Sequence, residues 1–140
     1  MSEPNSSRLI WNDAYSVGVR ALDHQHATLV GVINELGEAM EAGRGRDVLG
    51  DILIRLVAYI EEHFATEERL MTRYAYPETG AHKTAHQELT RSVAWFCEEF
   101  RSGKAVVSVR LHRFLKHWLQ THVLSTDKRY REFFNSRGLC

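Results

Sequence analysis

Apolar residues recur at alternating spacings of three and four along most of the chain, which is the pattern of helices that bury one face. Four such stretches are predicted. The first spans about residues 21–40, with the stripe Leu22, His26, Leu29, Ile33, Leu36 and Met40, and "AGRGR" closes it. The second opens near Asp47, a candidate N-cap, and carries Leu49, Leu53, Leu56, Ile60, His63, Glu67, Leu70 and Tyr74 up to the breakers Pro77 and Gly80. The third, about residues 80–100, has His82, His86, Leu89, Val93, Phe96 and Phe100. The fourth starts at about Val106, has Leu111, Leu115, Trp118 and His122, and runs into "STDKRYREFF". No stretch alternates with the period of two expected of a strand. The segment "RLIWNDAYSVGVR", about residues 8–20, is rich in aromatics without a period and reads as an ordered arm laid across the helices. Short linkers between amphipathic helices predict an all-α fold, an up-down-up-down antiparallel four-helix bundle. Residues 1–140 form one domain in this reading, with the arm at about 8–20 and the bundle at about 21–134.

The stripes are not wholly apolar. His26, His63, Glu67, His82, His86 and His122 stand at positions that the neighbouring leucines and aromatics mark as core, where polar groups are costly without partners. Chain order adds a second constraint. His26 is near the start of the first helix, His63 and Glu67 near the end of the second, His82 and His86 near the start of the third, and His122 near the end of the fourth. Antiparallel helices bring all of these to one end of the bundle. Imidazoles with a carboxylate are a ligand set for transition metals. Five histidines exceed what one tetrahedral ion takes, so two metals are expected.

Length, charge and cysteine usage narrow the class. A chain of 140 residues is long enough for a hydrophobic core without disulfides. Lysine plus arginine balances aspartate plus glutamate at 18 each, so no basic surplus points to nucleic acid or an anionic membrane. No window offers the roughly 20 apolar residues of a membrane span, and the N-terminus lacks a leader pattern. Cys97 and Cys140 form no regular framework, which fits a reducing cytoplasm. The other histidines, His24, His112 and His117, fall off the stripes and read as solvent-facing. Cys97 reads as a small buried hydrophobe and Cys140 as an exposed thiol.

Imidazole suits zinc, copper, iron and nickel alike, so the residue types leave the ion open. They do exclude one pattern: no histidine has a glutamate three residues before it, so the ExxH pair of carboxylate-rich di-iron bundles is absent.

The ordered set "VGVRALDHQHATL", "HFATEERLM", "YP", "HKTAHQEL" and "WLQTHVLSTDK" resembles the bacteriohemerythrins, single-domain bacterial hemerythrins, over roughly residues 9–134. The resemblance implies a non-haem di-iron centre in which His82, His86 and His122 bind one iron and His26 and His63 the other. Glu67 and Asp127 would bridge the two together with an oxide or hydroxide. Asp127 enters through the resemblance alone, because five residues along an ideal helix place it about 140° from His122. Unaided, it reads as a solvent-facing partner for Lys128 or Arg131. The resemblance further implies reversible dioxygen binding at the iron with fewer histidines, for storage, delivery or sensing, by a monomeric carrier that is not an enzyme. Leu29, Ile60, Trp118, Leu119 and Val123 would form the apolar ligand pocket, with Val123 where isoleucine is more usual. Two alternatives remain: a di-iron enzyme acting on peroxide or nitric oxide, and a ligand-responsive signalling module needing an unidentified partner. An oxygen-receiving partner is equally open.

Overall fold

The computed structural model describes residues 8–103 and 107–140. Residues 1–7 of the assigned domain and the expected helix start at Val106 lie outside the described residues. Four helices make the bundle: α1 (Arg20–Glu41), α2 (Gly45–Arg73), α3 (Thr79–Arg101) and α4 (Val107–Trp118). Beyond α4 the chain passes through a π-helical stretch (Leu119–Thr126) and a 3₁₀ turn (Asp127–Tyr130) into the short α5 (Arg131–Ser136). No strand occurs among the described residues. Each long helix contacts its neighbours in a ring, α1 with α2, α2 with α3, α3 with α4 and α4 with α1. The all-α four-helix bundle expected from the periodicity is the observed fold.

Packing follows the stripes closely. Leu22, Ile33, Leu36, Leu49, Ile52, Leu56, Leu111 and Leu115 are essentially solvent-free, each contributing about 1.5–3 kcal/mol of burial free energy. The burial fades toward the helix ends, where Met40, Leu70, Tyr74 and Trp118 are only half-buried. Phe100 is exposed, and Cys97 is half-buried against the core rather than within it. Asp47 is not a cap either: α2 begins at Gly45, and Asp47 lies in its first turn, where a negative charge favours the helix dipole.

The arm is ordered by polar clamps. The buried Asn34 side chain on α1 accepts from Leu9 N–H at 2.8 Å and donates to Leu9 C=O at 2.7 Å. Asp23 accepts from Ser16 Oγ at 2.6 Å and from Val17 N–H at 2.7 Å. Tyr15, Val17 and Val19 are buried as a result. Gly18 has φ of +75°, and a Cβ there would sit 2.6 Å from the Arg131 side chain, so only glycine turns the arm into α1 beside α5.

Candidate metal centre

The antiparallel ring brings to one end of the bundle what the chain separates. His26 comes from the second turn of α1, His63 and Glu67 from the C-terminal part of α2, and His82 and His86 from the first turns of α3. His122 lies within the π-helical stretch, and Asp127 caps it. All seven side chains are buried, with Glu67, Asp127 and His26 wholly so.

Asp127 reaches the group through an irregular backbone. Its N–H bonds to the carbonyl of His122, five residues back, which is the π-helical pattern. One extra residue per turn removes most of the 140° offset that an α-helix would impose. Asp127 therefore faces the same interior as His122, and the reading of a solvent-facing ion-pair partner does not hold.

Two sets of donor atoms form around the carboxylates. Glu67, His82, His86 and His122 offer ligand atoms within 4.8 Å of one another, and so do His26, His63, Glu67 and Asp127. Glu67 belongs to both sets, and Asp127, a member of the second, also approaches His82 and His122 of the first. Glu67 Oε1 lies 2.5 Å from His82 Nε2 and 2.9 Å from His86 Nε2, while its Oε2 lies 3.4 Å from His63 Nε2 and 3.9 Å from His26 Nε2. Asp127 Oδ1 lies 2.8 Å from His122 Nε2 and 2.9 Å from His82 Nε2, and Oδ2 is 3.2 Å from His26 Nε2.

His82 and His86 hydrogen-bond to Glu67 Oε1, but the approaches to Asp127 are poor as hydrogen bonds. Both Asp127 oxygens and His122 Nε2 lack a hydrogen-bond partner among the described residues despite their proximity, because the angles are wrong. The Nε2 atoms of His26 and His63 face each other at 3.1 Å. Such orphaned, wholly buried polar atoms are costly unless something else satisfies them. Atoms about 2.0–2.2 Å from a shared ion lie within about 4.4 Å of each other, and the two sets come close to that limit. The residues fit a pair of transition-metal ions.

Electrostatics describe the same site from the proton's side. Burial opposes ionisation of Glu67, yet the hydrogen bonds from His63, His82 and His86 hold its carboxyl well below the usual range. Burial and the Glu67 charge push Asp127 up, and His122 and His26 more than reverse this, leaving it below the ordinary carboxylate range. Burial lowers His82, but Asp127 and Glu67 overcome it and the imidazole is pushed up to about 10. His26 is raised against burial for the same reason, by Asp127 above all. At His63 burial wins over Glu67 and the shift is downward. Positive charge at this end of the core is thus favoured by two ionised carboxylates.

Residues beyond the seven candidate ligands complete the surroundings, most of them not singled out by the periodicity. Tyr130, three residues after Asp127 and wholly buried, donates its hydroxyl to Glu67 Oε2 at 2.8 Å. His63 Nδ1 donates to Gln25 Oε1 at 2.6 Å, and His86 Nδ1 to Glu68 Oε2 at 2.8 Å. These bonds turn Nε2 of each ring toward the carboxylates. Three aromatics lie flat on the imidazoles: Phe64 on His86 at 3.6 Å, Trp118 on His122 at 4.4 Å and Tyr59 on His63 at 5.4 Å between ring centres. The Tyr59 hydroxyl is buried without a hydrogen-bond partner among the described residues. Burial first, then the Glu67 and Asp127 charges, push Tyr59 and Tyr130 well above the usual phenol value, so both keep their protons. Tyr59 precedes His63 by four residues, a same-face spacing that is the one available sequence signal for it.

The residues expected to line a ligand pocket are apolar and inward. Leu29, Ile60, Leu119 and Val123 are buried, and Trp118 is packed against the core from a half-buried position. His24 and His117 are exposed, as their registers predict. His112 departs from that expectation, for it is buried where α4 crosses α1. Gly37 makes the room: a Cβ there would stand 2.8 Å from His112 Nε2. Burial, then the Lys116 charge, lowers the pKa of His112 and keeps it neutral in this seat.

A four-helix bundle whose end layer gathers five imidazoles and two carboxylates defines a class, the histidine-rich bundled metal-binding proteins. Residues 17–133 match the family described as Hemerythrin HHE cation binding domain. The chain is 32% identical to a bacteriohemerythrin of Stenotrophomonas maltophilia over 89% of its own length and 80% of the relative's. It is 32% identical to one of Methylococcus capsulatus, covering 87% and 93% of the two chains, and 29% identical to a myohemerythrin of Theromyzon tessulatum, covering 86% and 89%. A wild-type hemerythrin crystal structure superposes with a TM-score of 0.80 at 31% identity, over 89% of this chain and 95% of that one. The chain belongs to the hemerythrin family, and its similarity to the bacteriohemerythrins extends over nearly all of its length.

Proposed function

We propose that this protein binds dioxygen reversibly at a non-haem di-iron centre and serves oxygen storage, delivery or sensing. His82, His86 and His122 would hold one iron and His26 and His63 the other, with Glu67 and Asp127 shared between them and an oxide or hydroxide completing the centre. The observation that carries this reading is the division of each carboxylate, one oxygen toward the three-histidine set and the other toward the two-histidine set. An ion with fewer protein ligands keeps a position open to a small molecule. An iron pair bound there would supply that open position and two electrons. The chain's own residues do the rest. Leu29, Ile60, Trp118, Leu119 and Val123 exclude water, and the Tyr59 and Tyr130 phenols, holding their protons tightly, are poor acids toward anything bound beside them.

The protein is read as a carrier rather than an enzyme, acting as a monomer in the cytoplasm, and Cys97 and Cys140 are both unpaired in keeping with a reducing compartment. Among the described residues no helix is long and apolar enough to cross a membrane. The test is an anaerobic preparation with its metal content measured, then exposed to oxygen and purged while the visible spectrum is followed. Close to two irons per chain and a spectrum that reverses on purging are expected. One zinc per chain, immediate irreversible oxidation, or sustained turnover of peroxide or nitric oxide with an electron donor would each overturn it.

A further inference from the structure

We propose that Glu68 is a positioning residue that sets the two irons apart electronically, by accepting the Nδ1 proton of His86 where its counterpart at His63 is the neutral amide of Gln25. The inference rests on the di-iron reading above and adds a role for side chains outside the ligand set.

The two Nδ1 contacts are alike in length and different in chemistry. Glu68 Oε2 lies 2.8 Å from His86 Nδ1, and Gln25 Oε1 lies 2.6 Å from His63 Nδ1. The orientation of the Gln25 amide is fixed from its other end, because Nε2 donates to Thr66 Oγ1 at 3.3 Å and Thr66 Oγ1 donates in turn to the Glu62 carbonyl at 2.9 Å. Glu68 needs no such argument, since a carboxylate only accepts. Both contacts aim Nε2 at the bridging carboxylates. An imidazole backed by a carboxylate is also a more basic ligand than one backed by an amide, because the anion draws the Nδ1 proton away and returns electron density to the ring. The iron held by His86 is therefore the better stabilised as iron(III). Of the two, it would be the first oxidised when an external oxidant is added. His86 is fixed further by Phe64, parallel to within 4° at 3.6 Å.

The position of Glu68 makes the proposal separable from a general charge effect. Its side chain is 30% exposed on the wall of a groove of about 700 Å³ between α2 and α3. Glu61 lines the same groove and carries the same charge, with no hydrogen bond or ion pair to a candidate ligand among the described residues.

The test is a mediated redox titration of the iron-loaded protein under argon, following the first one-electron oxidation of the di-ferrous form, with iron counted in every variant. Glu68→Gln keeps the shape and removes the charge. It is expected to move that equilibrium about tenfold toward the ferrous side, which is ~59 mV for one electron. Glu61→Gln is expected to leave it in place, and Gln25→Glu to shift the centre in the opposite direction from Glu68→Gln. With two irons per chain retained, an unshifted Glu68→Gln, or a shift in Glu61→Gln as large, overturns the role of Glu68 and leaves the di-iron reading standing. A wild-type protein without iron overturns both.

Discussion

Replacing Tyr130 by phenylalanine removes a single oxygen atom from a solvent-free position, and with it the only hydroxyl bonded to Glu67 among the described residues. The ring stays, along with its contacts to Phe134 and His82, so packing is nearly conserved. What changes is one hydrogen bond to a charged acceptor, of the kind that contributes about 1.5–3 kcal/mol when buried. For a domain of this size each kcal/mol moves the melting temperature by about 2–4 °C, so the loss should read as roughly 3–12 °C. Tyr76→Phe is the matched control. Its hydroxyl donates to Glu78 at 3.2 Å, but that carboxylate is 52% exposed and water replaces the donor, so less than about 1 kcal/mol is expected. Urea unfolding of both variants near pH 6, with and without iron, measures the difference. Equal losses in the two variants, within about 0.5 kcal/mol, would show that the histidines alone hold Glu67 and that Tyr130 merely fills space.

Three further outcomes are expected. His26→Ala should lose one iron of the pair while His24→Ala keeps both, since only His26 faces the carboxylates, and equal losses by elemental analysis would contradict the register of α1. Leu119→Glu should speed conversion of the oxygenated protein to the di-ferric form, by admitting water and a proton source to a wholly buried apolar position, and an unchanged autoxidation rate would remove Leu119 from the shielding layer. Metal and proton should compete for His82, whose folded value of about 10 lies above its ordinary 6.5. A raised value means that its contribution to the iron-free fold is complete below about pH 6.5 and is lost as pH rises through 10, so the urea midpoint should fall over that window without iron and stay level with it. Iron loading at pH 8 should release at least one proton per chain, read by pH-stat, and zero release would refute the competition.

Much of this protein is legible without its coordinates, because helices and metal ligands both obey short-range rules. The period of 3.6 marks four buried stripes, and burial of Leu22, Leu56 and Leu115 follows from it directly. The same period marks His26, His63, Glu67, His82, His86 and His122 as inward, and antiparallel order places them at one end. Asp127 is different in kind. Local spacing directs it away from His122, and only a family resemblance recruits it, because the π-helical turn that brings it inward departs from the α-helical period by which the spacing is read. His112 fails for a related reason. Its burial depends on the missing Cβ of Gly37, on another helix, which no pattern along α4 can register. Tyr130, Gln25, Glu68 and Tyr59 complete the list of what the tertiary structure decided. Each owes its position to a partner at a distance in sequence or to a face it shares with a ligand, and a hydrogen bond between helices leaves no trace in the period of either one. The sequence alone therefore determined the bundle and the inward faces, whereas the tertiary structure determined how each carboxylate is shared and what stands behind each imidazole.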